Sequence, residues 1–83
     1  MLLLEPSVEP RQRGLRLKQL RIKAGLTQVR LAKETGLKQS DISKLENGSM
    51  SLAAWHIELL KKALGCSYAA FFADPQPEPE GDD

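Results

Sequence analysis

The sequence predicts an all-α fold, a compact bundle of five helices built from 83 residues. Three observations carry that expectation. Apolar residues recur at three- and four-residue spacing from Leu17 onward, with no convincing strand alternation. Gly25, Gly36, Gly48 and Gly65 end successive periodic stretches. Thr27 and Ser51 stand where helices need N-caps.

The first helix is predicted from Pro10 to Ala24. Pro10 suits a first turn, where its missing N–H would be unpaired anyway. Leu17, Leu20 and Ala24 form the inward stripe, and Gly14 is read as weakening the first turn. A second helix follows the Thr27 cap, turns Val29, Leu31 and Ala32 inward, and stops at Gly36. The third covers Gln39 to Asn47, with Ile42 and Leu45 inward. The fourth is expected to run from a Ser51 cap to Leu64, burying Ile57, Leu60 and Leu64. A short fifth extends from Ser67 to Phe72, before Pro75.

Around this bundle the sequence divides into three parts. Residues 1–9 read as an extended N-terminal arm and residues 10–73 as the folded domain. Residues 74–83, rich in proline and acid, read as a disordered tail. The tail conceals the charge of the rest. The formal net charge is +1, yet Asp74, Glu78, Glu80, Asp82 and Asp83 all lie in the last ten residues. Residues 1–73 hold all 12 Lys and Arg against six acids, a balance suited to a polyanionic partner.

Several function classes are excluded. A single cysteine, Cys66, permits no internal disulfide and no multi-thiolate zinc site. His56 is the sole histidine and reads as an ordinary helix residue, so neither a metal cluster nor an acid–base pair is expected. No nucleophile triad, paired carboxylates or phosphate loop appears, and no cofactor or enzymatic activity is expected. The apolar opening MLLL is too short for a secretory signal or a membrane span. A cytoplasmic location follows as the default.

The stretch TQVRLAKETGLKQSDISKLENG carries the positive evidence. Two short helices joined through Gly36 make a corner that holds the second away from the body. Nine residues at roughly 1.5 Å each give a rod about 13 Å long. That rod matches the B-DNA major groove, roughly 12 Å wide. Its back is Ile42 and Leu45. Its front offers Lys38, Gln39, Ser40, Ser43 and Lys44, side chains able to bond base edges.

With LRLKQLRIKAGLTQ, LAKETGL, DISKLENG and KKALGCS in order and correctly spaced, the chain resembles the Xre/Cro-type helix-turn-helix regulators, which include the phage lambda and 434 repressors. The resemblance covers about residues 14–72. It implies a lambda repressor-like DNA-binding domain whose second and third helices form the helix-turn-helix. It implies base contacts from Lys38, Gln39, Ser40, Ser43 and Lys44, Gln39 falling on a base-reading glutamine of the 434-type repressors. Phosphate contacts are implied for Thr27, Gln28, Asn47, Gly48 and Ser49. Arg21 and Glu46 match a largely internal salt bridge between the first and third helices. Lys38 departs from the Ser or Thr that caps this helix in many members. Lys61 replaces a small apolar residue of the fourth helix.

The implied partner is double-stranded DNA with a two-fold symmetric operator, bound by a homodimer. Trp55 and Phe72 are the candidate dimer surface. The leading reading is a transcriptional regulator, most simply a repressor; restriction–modification controllers and antitoxins share this architecture. The alternative is a protein-interaction adaptor on the same scaffold, using its aromatic C-terminal face.

Overall fold

The computed structural model describes residues 9–76. The predicted arm up to residue 8 and the tail from residue 77 lie outside them. Four α-helices follow one another: α1 (Glu9–Lys23), α2 (Gln28–Thr35), α3 (Gln39–Asn47) and α4 (Ala54–Leu64). The fifth predicted helix is a single 3-10 helix at Tyr68–Phe72, so the all-α class stands with four α-helices. No strand occurs among the described residues.

The core draws on every element. Leu17 and Leu20 of α1, Leu31 and Ala32 of α2, Ile42 and Leu45 of α3, Ile57 and Leu60 of α4, and Phe71 are buried together. Each large apolar side chain so buried contributes about 1.5–3 kcal/mol relative to exposure. Leu64 packs against this cluster only partly buried.

Two predicted core residues are exposed. Val29 sits two positions before Leu31, roughly 200° around the helix, so burying Leu31 turns it outward. Ala24 falls in the turn after α1, which ends at Lys23.

Gly14 has a different role from the one expected. A Cβ on this residue would stand 2.5 Å from the Glu46 carbonyl oxygen and 2.8 Å from its carbon. The missing side chain lets α1 lie directly on the backbone of α3, and close packing outweighs the helix-propensity cost.

The turn between α2 and α3 is held from both sides. Gly36 has φ 81°, a left-handed conformation that L side chains rarely adopt, and its N–H donates to Ala32 O at 2.8 Å. The Thr35 hydroxyl faces Leu31 O at 2.9 Å and Ala32 O at 3.2 Å while accepting from Leu37 N–H at 3.2 Å. Three residues thereby suffice to turn the chain.

α4 starts later than predicted, after Ala53 rather than Ser51. Ala53 has no side-chain oxygen to cap with. His56, three positions on, supplies the missing partner: its Nδ1 accepts the Ala53 N–H at 2.9 Å. The 3-10 helix is tied to α1 by two arginines. Arg16 Nε donates to Ala70 O at 2.7 Å and Arg13 Nη1 to Phe71 O at 2.9 Å, placing cations on carbonyls at a helix C-terminus.

Candidate nucleic-acid interface

α3 is divided lengthwise. Ile42 and Leu45 are fully buried, whereas Lys38, Gln39, Ser40 and Lys44 are exposed and Ser43 is half-buried. Lys38 occupies the N-cap without a side-chain cap bond, and Asp41 lies in the first turn, where the helix dipole favours an anion. The predicted base-contact residues thus sit along the face opposite the core.

Behind that face runs a continuous polar chain. Arg21 grips Glu46 with two bonds, Nε to Oε2 at 2.5 Å and Nη2 to Oε1 at 3.1 Å, while Nη1 donates to Leu26 O at 2.8 Å. Both side chains are largely buried, at 11% and 5% exposure, so solvent screens the pair little. Gln28 Nε2 donates to Glu46 Oε1 at 3.1 Å. A carboxylate only accepts, so the Gln28 amide must turn its nitrogen inward and its oxygen outward. That oxygen accepts from Gln39 Nε2 at 2.8 Å. The orientation of Gln39 is therefore set through two intermediates by Arg21.

The predicted phosphate residues separate into two groups. Thr27 and Gln28 lie at the start of α2, where Thr27 Oγ1 accepts Arg30 N–H at 3.0 Å. The first N–H groups of the helix point the same way and leave a positive end. Asn47, Gly48 and Ser49 lie at the far end of α3. There Asn47 Oδ1 accepts Ser49 N–H at 2.9 Å, so the Ser49 amide expected to face phosphate is engaged inside the loop.

Other positions resolve as follows. Arg30 pairs with Glu34 at 2.9 Å on the surface, and Lys61 approaches Glu58 at 3.5 Å. Cys66 is half-buried, and burial pushes its thiol up despite nearby Arg16. Trp55 and Phe72, proposed for one surface, are both exposed. Trp55 stacks on His56 at 3.9 Å, whereas Phe72 meets Tyr68 at 5.1 Å and lies under the Arg13 guanidinium at 5.1 Å.

His56 is buried, not the ordinary helix residue expected. Burial lowers its pKa below the usual 6.5, and the Asp41 carboxylate of α3 partly opposes that shift. Sequence reasoning passed over Thr35 and gave this residue and Gly14 other roles. A glycine inside a helical pattern was the available signal for Gly14. The other two depend on hydroxyl and imidazole directions that no spacing encodes.

Residues 17–71 match the family model for helix-turn-helix proteins, HTH_3. The chain belongs to this family. HTH_3 proteins are DNA-binding transcriptional regulators rather than enzymes. Over 67 residues this HTH_3 chain is 37% identical to the HTH-type transcriptional regulator PuuR of Escherichia coli (strain K12), with 81% of the chain aligned. It spans only 36% of the length of that relative. Among solved structures, the restriction–modification controller protein C.AhdI of Aeromonas hydrophila superposes with a TM-score of 0.75 at 31% identity. That alignment covers 78% of this chain and 98% of C.AhdI. An HTH_3 family transcriptional regulator from Vibrio cholerae gives 0.76 at 26% identity, over 82% of this chain and 38% of the other. No helix among the described residues is long and apolar enough to cross a membrane.

Proposed function

We propose that this HTH_3 protein is a sequence-specific repressor that places α3 in the major groove of double-stranded DNA. The observation that carries this reading is the bond from Gln39 to Gln28, backed by Glu46 and Arg21. A base-reading amide gains specificity when its rotamer is fixed before binding, because less freedom is then lost on contact. Gln39 retains the means to form a bidentate pair with adenine, and Lys38, Ser40, Ser43 and Lys44 flank it. Gln28 and the start of α2 on one side, with Asn47 and Gly48 on the other, bracket α3 as phosphate clamps. Ser49 is the weaker member of that set, its N–H being engaged with Asn47.

The working form is a cytoplasmic homodimer on a two-fold operator, with reading helices about 34 Å apart. Exposed Trp55 and Phe72 support a contact through the C-terminal half. Repression follows from occupying a promoter. A restriction–modification controller is a second reading, supported by the near-complete coverage of C.AhdI. Selecting bound fragments from a random duplex pool, with sizing of the free protein, tests the proposal. A two-fold consensus and a dimer are expected; recovery of unenriched sequence would overturn it.

A further inference from the structure

Gln19, on the outer face of α1, makes a contact that the DNA-reading surface does not use. Its side-chain amide pairs with both backbone groups of Gln76: Nε2 donates to Gln76 O at 2.6 Å, and Gln76 N–H donates to Oε1 at 2.8 Å. The two residues are 57 positions apart. An amide used in this two-bond manner recognises peptide backbone as a neighbouring strand would, whatever the side chain. Gln76, assigned by sequence to the tail, is thus held against α1.

The chemistry on either side of this anchor is complementary. α1 carries Arg11, Arg13, Arg16, Lys18, Arg21 and Lys23 against one acid, Glu9. Arg13 and Arg16 hold carbonyls of the 3-10 helix and Arg21 holds Glu46, so Arg11, Lys18 and Lys23 remain the exposed cations of this stretch. Beside Gln19 opens a groove of about 350 Å³ lined by Arg16, Leu20, Lys23, Ala24, Leu64 and Cys66, among others. Beyond the anchor the sequence reads PEPEGDD, four acids in seven residues. Seven residues reach at most roughly 23 Å, enough to pass Lys23, one turn from Gln19, toward the start of α2.

We propose that the Arg16–Gln19–Lys23 face of α1 is a docking strip for the chain's own acidic C-terminal segment, residues 74–83. Seated there, the segment competes with DNA phosphate for the positive end of the domain. The competition rests on the DNA-binding reading; the docking does not.

The full-length chain with Glu78→Gln, Glu80→Gln, Asp82→Asn and Asp83→Asn removes the charge without touching the core, and Gln19→Leu removes the anchor. Backbone amide spectra of the free proteins test docking. Shifts are expected at residues 18–24 in the neutralised variant, in Gln19→Leu, and in wild type as salt is raised. Titration with a random-sequence duplex at low salt tests competition. The neutralised variant should bind about three- to tenfold more tightly, with a steeper dependence on salt, because the tail no longer substitutes for released counterions. Unmoved amides at residues 18–24 would overturn the docking strip whatever DNA does. Moved amides with unchanged duplex affinity would leave the strip and overturn the competition. Failure of wild type and variants alike to bind any duplex would count against the DNA reading, and the amide shifts would still decide docking.

Discussion

Gln39 Nε2 lies 2.8 Å from Gln28 Oε1, joining the first residue of α3 to the first residue of α2 across the helix-turn-helix. In the proposed DNA-binding mode the bond ties the residue assigned to read a base to the residue assigned to contact phosphate, so neither should act alone. Gln28→Ala is expected to weaken operator binding and to relax preference at the base read by Gln39. A double-mutant cycle with Gln39→Ala, measured by titration on operator DNA, should give a coupling of about 0.5–3 kcal/mol. Strict additivity would mean the bond is irrelevant to recognition.

Glu46→Ala leaves the Arg21 guanidinium largely buried with only the Leu26 carbonyl as partner. Breaking one side of such a pair costs about 3–5 kcal/mol. Urea denaturation should show a lower midpoint with an unchanged slope, their product falling by that amount. A variant as stable as wild type would refute the structural role of the pair.

Gly14→Ala sets two effects against each other. Alanine favours an exposed helix by about 1 kcal/mol, whereas its Cβ would collide with α3 backbone that cannot rotate away. Overpacking of this kind costs about 1–3 kcal/mol, so net destabilisation is expected in thermal unfolding. A rise in Tm would show that α1 and α3 do not approach so closely.

His56 makes stability depend on acidity. Its folded-state pKa lies below the usual 6.5 because desolvation outweighs the Asp41 carboxylate. As pH falls through 6.5 the unfolded chain takes up the proton before the folded one does. The stabilising contribution is therefore complete above 6.5 and declines on acidification until the folded-state pKa is passed. Protonation also removes the lone pair that accepts the Ala53 N–H. His56→Gln keeps an acceptor without the titration, and its unfolding free energy should vary less below pH 6.5. Equal slopes for both proteins would exclude His56 as the source.

If the proposed homodimer forms through these rings, Trp55→Ala with Phe72→Ala should shift the free protein from dimer to monomer in light scattering at micromolar concentration. Both rings are exposed in the single chain, so the fold should survive, and unchanged circular dichroism would check that. A double variant that stays dimeric would move the interface elsewhere.

The sequence by itself determined the helical class, the positions of the α2–α3 corner and the split of α3 into an apolar back and a polar front. Those features follow from periodicity, caps and left-handed glycines, which act within a few residues. It did not determine the start of α4, the outward turn of Val29, the meaning of Gly14 or the burial of His56. Each of these was settled by packing between helices distant in sequence: α3 backbone against Gly14, or the core claiming Leu31 and leaving Val29 to solvent. The aligned chain from Arg21 to Gln39 is likewise tertiary. Its members were readable as residue types, but the direction of each hydrogen bond was fixed only when a buried carboxylate obliged its neighbours to donate.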